Sequence, residues 1–167
     1  MNVVRREEAA EQVRQWGGDR VLLQGDNLHQ DTENALDGKK LSLVLDTVGG
    51  TSVGELAKSL KTGGSIVVYA LLSGQFPTIP PKDFIYNGLS LHGFWLINWI
   101  HNAPRAEIQQ VYQKLGALVA DGSPSGAVER VYPLEQFKEA FEQSLKPNRN
   151  GKILFEFGAT DRTDLKN

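Results

Sequence analysis

Along the chain, short runs of apolar residues alternate with stretches in which apolar residues recur every three or four positions. The first run, Asn2-Val3-Val4-Arg5, is rich in β-branched residues and predicts a strand. Glu7 to Trp16 follows with Ala10, Val13 and Trp16 at helical spacing, and Gly17-Gly18 closes that helix. Arg20 to Gln24 is a second apolar run, Asp31 to Leu36 a weak helix, and Leu41 to Asp46 reads as a strand buried on both faces. Thr51 to Leu60 predicts a helix with Thr51 or Ser52 as its N-cap, with Gly63-Gly64 as the break before a second buried strand, Ser65 to Ala70.

After a proline-rich loop, Pro77 to Pro81, and a short Lys82 to Tyr86 segment, Leu89 to Trp95 predicts another strand. A long helix from Pro104 to Ala120 carries Ile108, Val111, Leu115, Leu118 and Val119 as its apolar stripe. The end of the chain has a strand at Val128 to Tyr132, an amphipathic helix at Leu134 to Leu145 and an alternating strand at Lys152 to Phe157. Gly158 to Asn167 reads as a tail, and Ser123 to Gly126 as a turn that marks where the chain can change lobe. Strands separated by helices, without a run of hairpin turns, imply right-handed crossovers and a doubly wound α/β sheet of the Rossmann type.

Composition narrows the classes of function. Eighteen basic against twenty acidic residues leave a net charge of −2, which gives no electrostatic footprint for nucleic acid or an anionic membrane surface. Cysteine is absent, so the chain holds neither disulfides nor thiolate chemistry. His29, His92 and His101 lie far apart and without paired carboxylates at metal-ligand spacing, so no metal site is assigned. No apolar run reaches the length of a membrane helix, and the first eight residues lack the apolar core of a signal peptide. The expectation is a cytoplasmic protein, with the mitochondrial matrix open only if a transit segment precedes Met1.

Five segments, Asn2 to Arg5, Leu45 to Gly50, Gly63 to Tyr69, Leu91 to Leu96 and Gly151 to Leu154, resemble the medium-chain dehydrogenase/reductases. The run Gly93-Phe94-Trp95-Leu96 is similar to their zinc-independent branch of mitochondrial-type enoyl thioester reductases, related to quinone reductases. The resemblance implies a partial Rossmann domain over 1–126, a C-terminal strand-helix-strand return into a catalytic lobe over 127–157, and a tail over 158–167. It also implies that the first Rossmann strand and the Gly-rich pyrophosphate turn are lacking, together with the lobe that carries the catalytic acid, so no catalytic residue is named. Because the lacking strand is central in the order 3-2-1-4-5-6, two edges are exposed. The expectation is that Asn2 to Arg5 closes the gap against Leu41 to Asp46, or that another chain fills it.

Candidate cofactor residues follow from the same comparison. Arg5 and Arg6, at the end of the second Rossmann strand, suit the 2′-phosphate of NADP(H), although two arginines there are also an ordinary solvated surface. Val48, Gly49 and Gly50 end a parallel strand, where glycines admit a ligand to the backbone or simply make a tight turn, and Asp46 or Thr47 can equally be satisfied by nearby backbone donors. Tyr69 ends the next strand, before Ala70, where the family often has glycine. Phe94 and Trp95 match positions that contact the nicotinamide end, though aromatics in a strand are more often core. Lys152 matches a cofactor-facing basic residue. The implied reaction is hydride transfer from NADPH to the β-carbon of an enoyl-CoA or enoyl-ACP thioester. This chain is expected to be inactive alone, to bind NADP(H) weakly or not at all, and to pair as a homodimer through Leu89 to Trp95. Two other readings remain open: a fragment of a quinone oxidoreductase or alcohol dehydrogenase, and a non-catalytic binding or dimerisation module.

Overall fold

The computed structural model describes residues 1–122, 127–146, 149 and 151–157. The Ser123 to Gly126 turn and the 158–167 tail lie outside those residues. Two compact units divide between Ala103 and Pro104, so the long helix belongs with the C-terminal strands rather than with the expected 1–126 domain.

In the first unit, β1 (Asn2–Val4), α1 (Glu7–Gln15) and β2 (Val21–Leu23) form one crossover, with the strands parallel and Asn2 opposite Val21. α2 (Leu28–Leu36) leads into β3 (Leu41–Asp46), α3 (Ser52–Ala57) and β4 (Leu60–Val68). A short α4 (Pro81–Tyr86) precedes β5 (Ser90–Gly93), and α5 (Leu96–Asn102) ends the unit. β3, β4 and β5 form a parallel sheet in that order. Its core is Val44, Val53, Ala57, Leu60, Ile66 and Leu89, where Val53 and Ala57, four residues apart, place one face of α3 on the sheet. Each Val, Leu or Ile among them, fully buried, contributes about 1.5–3 kcal/mol.

Several expectations change here. α3 is shorter than Thr51 to Leu60, and neither Thr51 nor any other side chain caps it. The Ser52 hydroxyl instead donates to the Gly49 carbonyl at 3.3 Å. Gly63-Gly64 does not precede β4 but lies inside it. Gly63 has φ 73°, and the pairing slips from Leu41↔Leu60 to Leu43↔Ser65, so the glycines form a bulge that lets the strand start five residues early. α5 has no counterpart in the pattern reading, because Leu96-Ile97-Asn98-Trp99-Ile100 continues an apolar run with no cap residue to mark a start. β3 is not buried on both faces: Val44 and Asp46 are, while Leu43 and Leu45 are 49% and 63% exposed.

The gap does not close. β1 pairs only with β2, and β3 only with β4, so neither a six-stranded sheet nor a β1–β3 ladder forms among the described residues. The cause lies in the helix between them. α2 packs on α3, with Leu28 and Thr32 buried and His29 Nδ1 3.2 Å from the Ser59 hydroxyl. Arg20 ties the approach to β2 to the Ala35 carbonyl at the other end of α2. These contacts fix β1 and β2 at a distance from β3 that direct pairing would have to break.

In the second unit, α6 (Arg105–Ala120) buries none of its residues within the described structure, and Val111, Leu115, Leu118 and Val119 of its apolar stripe stay exposed. β6 (Val128–Pro133), a 3-10 turn (Leu134–Gln136), α7 (Phe137–Leu145) and β7 (Lys152–Glu156) make a parallel crossover. Phe141 meets Phe137 and Phe155 edge to face, with centroids 6.5 and 6.1 Å apart, and so fastens α7 to β7.

Candidate coenzyme-facing edge

The carboxyl ends of parallel strands are where ligands settle on such sheets, because backbone groups and helix starts converge there. At the end of β3 the Asp46 carboxylate, 8% exposed, accepts the Val48 N–H at 3.2 Å and the Gly49 N–H at 2.9 Å. A loop from Leu71 to Thr78 locks onto the same turn. Leu72 N–H donates to the Thr47 carbonyl at 2.9 Å, Ser73 N–H and its hydroxyl to that of Val48, and Gly50 N–H to those of Gln75 and Phe76 at 3.2 Å. Thr78 N–H completes the latch on the Gly50 carbonyl at 2.9 Å.

Gly49 has φ 76°, and a Cβ there would overlap the Gln75 carbonyl oxygen and lie 2.7 Å from Leu71 Cδ1. Its glycine requirement thus comes from the latch as well as from its left-handed backbone. The Val48-Gly49-Gly50 turn is held by internal partners, with Asp46 accepting from its Val48 and Gly49 N–H groups. Ser73 and Gln75 carry no sequence signal for this role beyond a loop marked by Gly74.

An open cavity of about 470 Å³ runs along β3 and reaches β1. Val48 and Tyr69 line it, with Thr47, Asp46 and Gln24 near the strand ends. Tyr69 is half exposed, and its N–H donates to the Asp46 carbonyl at 3.1 Å. Arg5 is exposed immediately after β1, and Arg6 occupies the N-cap position of α1, its carbonyl accepting the Ala10 N–H at 3.0 Å. Neither arginine lines the cavity, and neither do Gly49, Gly50, Phe94 or Trp95. Phe94 follows β5 with its N–H on the Val68 carbonyl at 2.9 Å, and Trp95 starts α5 at 68% exposure, so neither aromatic is core. Lys152 belongs to the second unit, where it opens β7 with its N–H on the Ala127 carbonyl at 2.7 Å.

The parallel strands, the crossovers and these strand-end turns define a Rossmann-like nucleotide-binding fold. The pattern of the zinc-binding dehydrogenase family matches residues 16–154, and the chain belongs to that family. The mitochondrial enoyl-[acyl-carrier-protein] reductase of Rattus norvegicus is 30% identical over 138 residues, 82% of this chain and 37% of that protein. Among solved structures, a putative NADPH:quinone reductase from Bacillus thuringiensis superposes with TM-score 0.80 at 22% identity, covering 93% of this chain and 48% of that one. Etr1p, a mitochondrial 2-enoyl thioester reductase of Candida tropicalis, superposes in its complex with NADP and crotonyl-CoA with TM-score 0.75 at 21% identity, covering 93% and 46%. This chain therefore spans less than half the length of the proteins it matches.

The family name implies zinc. Among the described residues no three His, Cys, Asp or Glu side chains are grouped to hold a metal, and the chain has no cysteine, so these residues do not fit a zinc ion and no step here runs through one.

Proposed function

We propose that this chain is the nucleotide-binding portion of an NADPH-dependent 2-enoyl thioester reductase and is inactive alone. The observation that carries the reading is the exposed Arg5 at the carboxyl end of β1, in a fold whose second strand ends beside the adenosine ribose. A guanidinium there pairs with a 2′-phosphate, where a carboxylate would accept from a free 2′-hydroxyl. Arg6 adds positive charge, while Tyr69, the Val48 to Gly50 turn, Phe94, Trp95 and Lys152 are proposed for the remainder of the coenzyme.

The fit is good at the phosphate-bearing ribose and incomplete elsewhere. The Val48 and Gly49 amides are taken by Asp46, and no other glycine-rich strand-to-helix turn among the described residues offers its amides to a pyrophosphate. Bound NADPH supplies a hydride. The residues of this chain bind and orient it, but none is placed to stabilise the enolate that forms as the β-carbon is reduced or to deliver a proton to the α-carbon. Support for the thioester comes from the enoyl-[acyl-carrier-protein] reductase relatives and from Etr1p with crotonyl-CoA.

Among the described residues the β5 edge pairs only with β4 and exposes Leu91, Phe94 and Trp95, which supports a homodimer joined through Leu89 to Trp95. No described helix is long and apolar enough to cross a membrane. For location we keep the cytoplasm, with the mitochondrial matrix open if a transit segment precedes Met1. With crotonyl-CoA and NADPH the 167-residue chain should oxidise no coenzyme, while NADPH raises its melting temperature more than NADH does. Turnover by the chain alone, or equal shifts with both coenzymes, would overturn the proposal.

A further inference from the structure

A cluster of polar side chains joins α2 to the start of β3. His29, Thr32 and Glu33 stand three and four positions apart on α2 and share one face. Opposite them is Ser59, fully buried where α3 gives way to β4. Its hydroxyl lies 3.2 Å from His29 Nδ1. Glu33 is held below its ordinary pKa first by Lys40 and then by that same hydroxyl. The Ser59 carbonyl accepts the Leu41 N–H at 2.9 Å, which pins the first residue of β3. Lys40, the residue before that strand, donates to the two Glu33 carboxylate oxygens at 3.0 and 2.8 Å. α2 is thus tied to the start of β3 twice, through Ser59 and through Lys40.

The β1–β2 pair is carried by the same helix. Arg20, just before β2, donates to the Ala35 carbonyl in the last turn of α2, and β1 lies against β2 with Val4 opposite Leu23. β1 leads to Arg5, and β3 ends in the Asp46 turn. No strand pairing joins β1 to β3 among the described residues, while α2 packs on both β2 and α3. The separation of the two strand ends therefore runs through α2. Apolar packing has no direction, whereas hydrogen bonds have short reach and a preferred angle, so the polar ties set where α2 stops. Thr32 shows the contrast: it is just as buried, but its hydroxyl has no partner among the described residues, so it adds packing and no direction.

We propose that His29, Glu33, Lys40 and Ser59 are positioning residues that hold the Arg5 end of β1 and the Val48 to Gly50 turn at the separation one NADPH molecule spans. The proposal rests on the reading of those two places as opposite ends of a coenzyme site. A ligand that bridges two ends gains from having both in place at once and loses that gain when one end drifts. A ligand that touches one end does not depend on the separation.

The test uses the 167-residue chain, with NADPH as the bridging ligand and 2′,5′-ADP, its phosphorylated adenosine half, as the ligand of the Arg5 end. Ser59→Ala should weaken NADPH about fivefold or more and leave 2′,5′-ADP within about twofold. Thr32→Val, equally buried, should change neither. A loss of stability alone would move neither affinity in a chain that far-UV circular dichroism shows to be folded, so the split between the ligands is what positioning predicts. Should Ser59→Ala lose its fold, Glu33→Ala, at a partly exposed residue, carries the same comparison. The chain has no cysteine, so nitroxides on Glu8→Cys and Thr51→Cys, both at exposed positions, read the separation without coenzyme. One narrow distance is expected with the ties intact, and a broader or shifted one with Ser59→Ala. An unchanged distance, equal weakening of both ligands, or NADPH binding no tighter than 2′,5′-ADP in the unaltered chain would overturn the proposal and leave the reading of Arg5 standing. Binding of neither ligand by the unaltered chain would overturn the coenzyme reading and this proposal with it.

Discussion

Replacing Gly49 by alanine tests the account of the β3–α3 turn. At φ 76° an alanine costs about 1–2 kcal/mol from its own backbone conformation. The added Cβ must also displace the Gln75 carbonyl and Leu71, and the Gly50 N–H to Gln75 bond at 3.2 Å moves with them. Overpacking of this kind costs about 1–3 kcal/mol, and weakening a buried backbone bond about 1 kcal/mol more. The total is about 3–6 kcal/mol. Gly63→Ala is the control. Its φ of 73° is nearly the same, but a Cβ there meets nothing within 4 Å, so only the conformational cost of about 1–2 kcal/mol applies.

Trp16, Trp95 and Trp99 are the three tryptophans, and all lie in the Met1–Ala103 unit. Tryptophan fluorescence during urea unfolding thus reports that unit alone. With a slope of about 1–3 kcal/mol/M, the variants should differ in midpoint by about 1 M or more. If Gly49→Ala is no more destabilised than Gly63→Ala, the latch around Gln75 does not exist in solution and the reasoning about the turn fails.

Ile66 is fully buried in the β3–β4–β5 core, so Ile66→Ala should lose about 2–5 kcal/mol in the same assay, and a loss under about 1 kcal/mol would contradict the core assignment. Glu33 is held below its ordinary pKa of 4.5, first by the Lys40 ammonium at 2.8 Å and then by the Ser59 hydroxyl. A depressed carboxylate contributes stability that is present above pH 4.5 and lost as the pH falls through its lower folded value. The pair is partly solvated, so Lys40→Met should remove less than about 1 kcal/mol at neutral pH and flatten the loss below pH 4.5, as read from urea midpoints against pH. In the second unit, a double-mutant cycle on Phe141 and Phe155 should give about 0.5–1.5 kcal/mol of coupling, and none would mean that α7 is not fastened to β7 by these rings.

Most of the alternation of strand and helix was legible in the sequence, because β-branched runs such as Leu41 to Asp46 and the 3.6-residue spacing of Ala10 and Val13 are local signals. What was not legible depends on partners distant in the chain. The pattern of Leu41 to Asp46 is that of a strand covered on both sides, yet Val44 and Asp46 are buried while Leu43 and Leu45 are exposed, which depends on what packs on each face and not on the local run. Gly63-Gly64 reads as a break, yet the register between β3 and β4 absorbs it as a bulge. At the site, glycine after a strand signals either a ligand or a turn. That this turn is also held from within depends on Ser73 and Gln75, whose identities are unremarkable and whose roles come from where the loop lands.

We propose that this chain prefers the coenzyme carrying a 2′-phosphate, and that Arg5 sets the preference. Fluorescence titration of the 167-residue chain with NADPH and NADH, repeated on Arg5→Ala, measures it directly. A guanidinium–phosphate pair is worth about 1.5–3 kcal/mol, so NADPH should bind about tenfold to a hundredfold more tightly than NADH, and Arg5→Ala should bring the two together by weakening NADPH alone. Equal affinities in the unaltered chain, a preference that survives Arg5→Ala, or no binding at millimolar coenzyme would contradict the account.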